Sequence, residues 1–426
     1  MKYPMLKWAK DLFPICRSLA GPGNRKTLKY FFKLNKEFKI FKFKSGTKVF
    51  DWKIPPEWNV KNAYVKDLKG NTIIDFKKNN LHLVSYSSPI KKIISKNLLI
   101  SRVHSLPKQK KYIPYVTSYY KKYWGFCLEH EKKKKILKSN NKKFFVNIDS
   151  EFKKNGKMHY GECYIKGKSK KEILISTYLC HPSMANNELS GPIVWKYLIK
   201  NFVKKKNKYS LRFIIVPETI GSISYISKNY KLLKNNVIGG YVLTCLGDKG
   251  NFSYLNSKEE NSLSDLVAKR YFLKKRIKFK NYSFLKRGSD ERQYNSPGIN
   301  LSVGSIMRSK YDTYPEYHTS GDNLNFVKKV YLKKSIKVIK EIIEDFMKVE
   351  IPKNNILCEP YLTKYKLYPT LSLKKPNLYS RNILNFLSYC DGKKDLIYIA
   401  NKINLAYKKT YSIYMMLLKK KIVSNS

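Results

Sequence analysis

A histidine at the end of an apolar run is the first feature of this sequence that could do chemistry. Residues 173–179 are mostly apolar, a length and pattern typical of a strand buried on both faces of a sheet. The run leads directly to His181, and ligands of open parallel sheets bind beyond the carboxyl ends of the strands. An amide, a carboxylate and a hydroxyl then precede the helical pattern of residues 193–203: Asn187, Glu188 and Ser190. This strand-to-helix crossover predicts a functional site.

The same pattern recurs later in the chain. A lone histidine beside a proline is more often an ordinary loop residue, so His181 needs support from elsewhere. A second apolar segment starts at residue 211 and ends at Glu218, a third covers residues 238–246, and a fourth, residues 298–306, leads towards His318. Several strand ends followed by polar side chains, together with two well-separated histidines, are typical of a zinc site or a similar metal centre.

Five segments in order resemble one family over essentially the whole chain: residues 12–25 (LFPICRSLAGPGNR), 50–58 (FDWKIPPEW), 180–192 (CHPSMANNELSGP), 217–222 (PETIGS) and 314–319 (YPEYHT). They resemble the co-catalytic zinc exopeptidases and, more closely, a bacterial aminopeptidase-like family of that clan. Members of this family carry a small inserted α+β domain and a C-terminal winged helix.

The resemblance implies an α/β fold with a mixed or parallel sheet sandwiched by helices. It implies an aminopeptidase-like core in residues 1–36 and 126–350, an inserted domain in residues 37–125 and a winged helix in residues 351–426. The local patterns agree. Strands and helices alternate between residues 145 and 350, which is typical of a layered α/β domain, and three short helical segments follow residue 383.

The resemblance also implies the metal ligands. His181 and His318 match the two histidines of the zinc exopeptidases, and Glu218 matches a metal-binding glutamate. The bridging aspartate of that clan falls on Asn187, and a second aspartate ligand falls on Thr244. We therefore expect one zinc ion bound by His181, Glu218 and His318, with Asn187 as a further ligand position. Two ions remain an alternative.

The general base of the clan falls on Pro217, which cannot carry a proton. Loss of a general base typically lowers the rate by roughly 10²- to 10⁴-fold. The remaining acidic candidates for proton transfer at the site are Glu188, Glu218, Asp290 and Glu316, and the substrate itself is another. Two arginines flank Asp290, and together with Glu316 they form the predicted substrate-binding set: Arg287 and Arg292.

The overall composition is strongly basic. The chain has 87 Lys and Arg residues against 30 Asp and Glu residues, a formal net charge of +57. Such a charge attracts phosphate- or carboxylate-rich partners, but the lysines are spread along the whole chain, which favours a compositional origin over a nucleic-acid footprint. The seven cysteines are an odd number and widely spaced, and no apolar run is long enough to span a membrane. These features predict a cytoplasmic protein.

The sequence thus predicts a zinc-dependent hydrolase of an amide bond, with a small peptide or a sugar-linked substrate. The family resemblance implies a setting in cell-surface polysaccharide biosynthesis. The alternatives are the modification of a nucleotide-linked sugar and a catalytically degenerate binding protein. The winged helix does not by itself favour DNA as a partner, because fold is not function, and homo-oligomers are compatible with every alternative.

Overall fold

A computed structural model describes residues 4–35, 37–368 and 378–425. The helices of this part of the chain are α1 Met5–Leu12, α2 Pro22–Lys33, α3 Lys96–Ser101, α4 His130–Lys138, α5 Gly191–Phe202, α6 Ile220–Asn236, α7 Leu263–Lys274, α8 Glu291–Tyr294, α9 Lys329–Met347, α10 Leu378–Ser388, α11 Leu396–Lys402 and α12 Tyr407–Lys419.

The strands are β1 Lys39–Lys44, β2 Lys48–Val49, β3 Trp52–Lys53, β4 Glu57–Asp67, β5 Thr72–Asp75, β6 Ile90–Ser95, β7 Val103–His104, β8 Phe126–Cys127, β9 Lys143–Lys153, β10 Lys157–Ile165, β11 Ser169–Tyr178, β12 Tyr209–Val216, β13 Val237–Leu243, β14 Phe252–Leu255, β15 Phe279–Tyr282, β16 Val303–Met307, β17 Pro352–Asn354 and β18 Val423–Asn425. None of the helices described is long and apolar enough to cross a membrane.

Eight strands form the main sheet in the order β1-β10-β12-β11-β13-β16-β14-β15. The central strands β12, β11, β13 and β16 run parallel, and antiparallel pairs flank them on both sides. Alternate residues of β11 enter opposite cores: Ile173 and Ile175 pack with helices α5, α7 and α9, whereas Leu174 packs with α6. Burial on both faces explains the continuous apolar pattern of this strand. The predicted sheet sandwiched by helices is confirmed.

A second sheet, in the order β5-β4-β9-β6, belongs to the smaller α+β part of the protein. Its strand pairing does not follow the predicted insert of residues 37–125. Strand β9, which lies beyond residue 125, pairs with β4 and β6, while β1, inside the predicted insert, pairs with β10 of the main sheet. Strand partners are chosen by long-range packing, and the sequence shows no local sign of that choice.

The C-terminal part has its own apolar core, formed by α10, α11, α12 and the strand pair β17–β18. Ile383, Phe386, Ile399 and Leu417 are among its buried residues. Helix α12 covers Tyr407–Lys419, and the three helices agree with the three helical segments predicted after residue 383.

Candidate metal centre

Two neighbouring parallel strands bring His181 and Glu218 together. Strand β11 ends at Tyr178 and β12 at Val216, and the two residues follow these ends. Because β11 and β12 are paired in parallel, their carboxyl ends share one edge of the sheet. The Nε2 atom of His181 lies 3.7 Å from Oε2 of Glu218, about the separation of two ligand atoms on one zinc ion.

The other ring nitrogen of His181 faces the protein interior. Its Nδ1 atom lies 3.0 Å from Oε2 of Glu188, whose side chain is fully buried. The guanidinium of Arg17, also fully buried, places Nε 3.3 Å from Oε1 of the same carboxylate. Glu188 therefore lies behind the imidazole ring, on the side away from Glu218. The predicted role of Glu188 as a base gains no support from this position.

His318 approaches from the loop that follows β16. Its ring centroid is 5.1 Å from that of His181, and Tyr317 stacks on it at 3.9 Å. The residue has a φ of 54°, and the backbone N–H of Tyr115 donates to its carbonyl oxygen at 2.8 Å. Burial, together with the nearby His181, lowers the pKa of His318 to about 2, so this ring is neutral. Its Nε2 atom is buried and has no hydrogen-bond partner in the described part of the chain.

Glu218 is held by the loop that carries Asp290. The hydroxyl of Ser289 donates to Oε1 of Glu218 at 2.5 Å. Asp290 accepts hydrogen bonds from the backbone N–H of Thr219 (2.7 Å) and the hydroxyl of Ser222 (2.8 Å). Thr219 has a φ of 65°, a conformation that costs free energy for a residue with a Cβ, and Asp290 supports this turn.

Burial raises the pKa of both carboxyl groups in this pair. For Asp290 burial, with the charge of Glu218, raises the pKa to about 8. For Glu218 burial also raises the pKa, against the opposing effects of His181 and Ser289. One proton is thus retained at neutral pH beside the predicted metal ligand. The Oδ2 atom of Asp290 has no hydrogen-bond partner among the described residues.

Asn187 lies in a buried π-helical turn, Ala185–Ser190. Its Nδ2 atom donates to the hydroxyl of Tyr178 at 2.8 Å, whereas its Oδ1 atom is buried with no partner among the described residues. Asp322 caps the turn, accepting hydrogen bonds from three successive backbone N–H groups, those of Ala185, Asn186 and Asn187, at 2.6–3.1 Å. Thus the loop that carries His318 is tied to the loop that follows His181.

The positions of the three predicted substrate-binding residues give little support to a role in substrate binding. Arg287 is exposed and packs over the ring of Phe284. Arg292 is used within the fold, donating to the hydroxyl of Thr219 at 2.8 Å and to the carbonyl of Ser289 at 2.9 Å. Glu316 is half-buried, two residues before His318.

Arg17 and Tyr115 were not expected at the site. The ring centroid of Tyr115 is 5.1 Å from that of His181 and 5.3 Å from that of His318, and its hydroxyl bonds to that of Tyr119. Both residues are distant from the two histidines in sequence. Arg17 lies within one of the segments that resemble the family, but nothing in that segment indicates its partner.

The chemical types of the ligand atoms at this edge of the sheet suit one zinc ion. Two imidazole nitrogens and one carboxylate oxygen are a common ligand set for catalytic zinc, and the unpaired Nε2 of His318 is a buried group that lacks a partner. The three side chains do not place one ligand atom each within 4.8 Å of one another, so Nε2 of His318 lies farther than that from His181 or from Glu218. A second ion would lack carboxylate ligands at the two positions where the clan has aspartates. Asn187 and Thr244, which occupy these positions, are neutral, and Thr244 shares a hydrogen bond with Tyr178.

One group of three potential ligands in the described chain does lie within 4.8 Å: Cys180, His181 and Glu188. Its chemistry does not suit a cation. Burial raises the pKa of Cys180 to about 11, which keeps the thiol protonated, and Arg17 already places a positive charge beside Glu188. A metal ion there would face this repulsion at short range.

The comparisons with known proteins first define the class of fold. A zinc aminopeptidase from Bacillus subtilis aligns with a TM-score of 0.59 and 13% identity over 81% of this chain and 96% of its own. A peptidase M28 precursor from Shewanella amazonensis gives a TM-score of 0.59 and 10% identity over 84% and 95%. At these identities the likeness concerns the fold, which is that of the zinc aminopeptidases.

The family follows from closer matches. Residues 6–348 match the model of a domain of unknown function, DUF4910, and residues 350–425 match a winged helix-turn-helix model. A Clostridium acetobutylicum protein, provisionally named as a polysaccharide biosynthesis protein with an aminopeptidase-like domain, is 42% identical over 94% of this chain and 91% of its own. A crystal structure of a provisionally assigned peptidase from the same organism has a TM-score of 0.79 and 40% identity over 99% and 96%. The chain belongs to this aminopeptidase-like DUF4910 family and carries a C-terminal winged helix.

Proposed function

We propose that the protein is a zinc-dependent hydrolase of an amide bond that acts in polysaccharide biosynthesis. The observation that carries the proposal is that His181, Glu218 and His318 lie at one edge of the sheet, with Nε2 of His181 3.7 Å from Glu218 and Nε2 of His318 buried without a partner among the described residues. The provisional name of the Clostridium relative supports the biological setting. Seven free cysteines support a cytoplasmic location.

In this proposal the chain binds the ion and controls one proton. Zinc supplies Lewis acidity to the amide carbonyl. Burial and the charge of Glu218 raise the pKa of Asp290 to about 8, so Asp290 is the candidate for proton transfer beside the ligand Glu218, since Pro217 cannot carry a proton. The rings of Tyr115 and Tyr317, which contact the two histidines, reduce the access of water. The substrate is a small peptide or a sugar-linked amide.

A binding protein without hydrolytic activity is the second candidate. The observation in its favour is the neutral pair Asn187 and Pro217 at the positions where the clan has a bridging carboxylate and a base. Such a protein would bind its ligand at the same edge of the sheet. The two candidates differ in whether a metal ion is bound and an amide is cleaved.

Elemental analysis of the purified full chain tests the proposal. We expect about one zinc per chain in the wild type and loss of zinc in His181→Ala and in His318→Ala. His159→Ala is the matched control and should retain zinc, because this half-buried histidine of β10 bonds to the carbonyl of Lys157 and to no predicted ligand among the described residues. Absence of zinc from the wild type after zinc is supplied would contradict the hydrolase proposal. Two ions per chain would require Asn187 or other groups to complete a second site.

The substrate class is tested separately. The zinc-loaded protein is assayed with aminoacyl arylamides and with N-acyl sugars, and His181→Ala serves as the blank. Cleavage of N-acyl sugars alone would identify sugar deacylation, and cleavage of arylamides alone would identify peptidase activity. Cleavage of neither, with zinc bound, would favour the binding protein.

A further inference from the structure

A buried chain of three side chains runs from the N-terminal segment to the metal centre. Arg17 donates through Nη1 to the carbonyl of Leu12 (2.7 Å) and through Nε to the carbonyl of His181 (3.0 Å). The same Nε lies 3.3 Å from Glu188, and Glu188 lies 3.0 Å from Nδ1 of His181. The side chains of Arg17 and Glu188 are both fully buried.

We infer that Arg17 and Glu188 act as positioning residues, which hold His181 in the Nδ1–H tautomer with Nε2 directed at Glu218. The inference rests on the proposed function in that Nε2 is the metal-binding atom. A carboxylate accepts but cannot donate a hydrogen bond, so Glu188 favours the proton on Nδ1 and leaves the lone pair on Nε2. Such partners behind a ligating histidine fix its tautomer and its ring orientation.

Arg17 is needed because the carboxylate is buried. An unpaired carboxylate in the interior would be strongly destabilising, and a buried partner of opposite charge compensates it. Arg17 also fixes the backbone of His181 through its carbonyl oxygen. The guanidinium therefore sets both the position of Glu188 and the start of the loop that carries the imidazole.

A second buried Arg–Glu pair offers a matched control. Arg212 donates to Glu172 at 2.5 and 3.0 Å, and both side chains are buried. Arg212 also donates to Glu162, which loses this partner in the control variant, so the control is the more severe of the two deletions. Glu172 lies near the start of β11, at the end of that strand opposite to His181. If deleting a buried ion pair weakens zinc binding only by destabilising the fold, both deletions should weaken it. If Arg17 and Glu188 position His181, only the deletion of Arg17 and Glu188 should weaken it.

The experiment compares two double variants of the full-length protein that remove the same charges. Arg17→Met/Glu188→Leu leaves Nδ1–H with the weak acceptor Sγ of Cys180 at 3.4 Å, whereas Arg17→Met/Glu188→Gln keeps an acceptor oxygen. We expect the Leu variant to bind zinc about 10- to 100-fold more weakly than wild type and the Gln variant to recover most of this loss. Arg212→Met/Glu172→Leu should bind zinc as the wild type does. Zinc affinity is measured by competition with a chelator.

The imidazole ¹⁵N spectrum of His181 gives a readout that does not need metal or activity. The chain has six histidines, so assignment by single substitution is practical. Burial lowers the pKa of His181, but Cys180, Tyr115 and Glu188 raise it more, so this pKa lies well above its ordinary value. The spectrum of the metal-free protein is therefore recorded at alkaline pH, where the ring is neutral. There we expect one tautomer, protonated at Nδ1, for the wild type and the Gln variant and a mixture for the Leu variant. The same tautomer mixture in wild type and Leu variant would overturn the inference, whether or not zinc binds.

The alternative role of Glu188 as a ligand is distinguished in the same series. If the metal were bound by Cys180, His181 and Glu188, then Cys180→Ala and the Gln variant would both release zinc. We expect Cys180→Ala to keep about one zinc per chain, and its loss would overturn the inference. A protein that binds no zinc in any form contradicts the proposed function alone, since the ¹⁵N spectrum still tests the positioning role.

Discussion

Asn187 illustrates how one side chain limits the metal centre. A neutral amide occupies the position where the resembling zinc exopeptidases have a bridging aspartate, and its Oδ1 atom is buried without a partner among the described residues. The hydroxyl of Tyr178 accepts from Nδ2 and donates to Thr244, since Thr244 itself donates to the carbonyl of Asn187. Tyr178 can donate to a carboxylate at position 187 if its hydroxyl turns away from Thr244, so the site can receive a negative charge there at the cost of that one hydrogen bond.

Asn187→Asp should tighten zinc binding about tenfold, because a carboxylate is a stronger ligand than an amide and attracts the cation directly. Zinc affinity measured by chelator competition checks this result, and thermal unfolding of the metal-free protein controls for changes in the fold. Unchanged affinity would place Asn187 outside the ligand set.

Lys196 presents a different problem at the residue scale, since its ammonium is buried without a hydrogen-bond partner among the described residues. Burial lowers the pKa of Lys196 to about 8, below the unfolded value of about 10.4. Between these two pH values the unfolded chain binds more protons than the native one. The free energy of unfolding therefore rises with pH in this window, and the full cost of burying the charged ammonium is present below about pH 8.

Lys196→Met should raise the free energy of unfolding at pH 7 by about 1–3 kcal/mol, because the apolar side chain avoids the cost of burying a charge. The gain should disappear near pH 10.5, where lysine is neutral in both states. Denaturant unfolding at several pH values measures it. Lys200→Met, an exposed lysine one turn later in α5, should change stability little, and an equal gain there would contradict the burial argument.

At the scale of elements, the centre depends on how two loops are tied together. The π-helical turn at residues 185–190 follows β11, and the loop with His318 follows β16. Asp322 joins them by capping three N–H groups of the turn. Hydrogen bonds to a buried carboxylate contribute more than neutral ones, so this contact is a main determinant of the distance between the two histidines.

Asp322→Asn should lower the free energy of unfolding by about 1.5–3 kcal/mol, because an amide cannot accept all three hydrogen bonds with both of its heavy atoms. It should also weaken zinc binding, since the His318 loop loses its anchor. Asp312→Asn is the control: this aspartate of the same loop is exposed and pairs with Lys310. Equal effects of both substitutions on zinc affinity would contradict the proposed coupling of the loops.

At the scale of the whole molecule, the winged helix contacts the core far from the metal centre. Arg270 of α7 pairs with Asp395 at the start of α11. Val349, which directly precedes the winged helix, accepts a hydrogen bond at its carbonyl from the hydroxyl of Tyr209, the first residue of β12, at 2.9 Å. The centre lies at the opposite ends of the parallel strands. Docking of the winged helix and metal binding are thus separate properties of the protein.

Arg270→Met should loosen this docking and increase proteolytic cleavage near residues 348–352, while the zinc content stays that of the wild type. Arg276→Met, an exposed residue two positions beyond the end of α7, is the control and should leave the cleavage rate unchanged. Limited proteolysis followed by mass spectrometry measures the first effect, and elemental analysis measures the second. Loss of zinc in Arg270→Met would show that the two regions are coupled.

By itself the sequence determined the features that depend on local patterns. The buried strands with His181 and Glu218 beyond their ends, the helical pattern of α5 and the three helices of the C-terminal part all follow from hydrophobic spacing within short segments. The resemblance added the fold of the core and its match to the histidines. The absence of a base at Pro217 is likewise plain from the residue type.

Only the tertiary structure decided which partners these residues meet. Arg17 lies 164 residues before His181, Asp322 reaches a turn 135–137 residues earlier, and β9 joins a sheet with β4. Glu188 was expected as a base but lies behind the ring of His181. The physical reason is that a buried charge or an unpaired backbone group must be compensated by whatever group the fold brings near, and this proximity has no signature in local sequence.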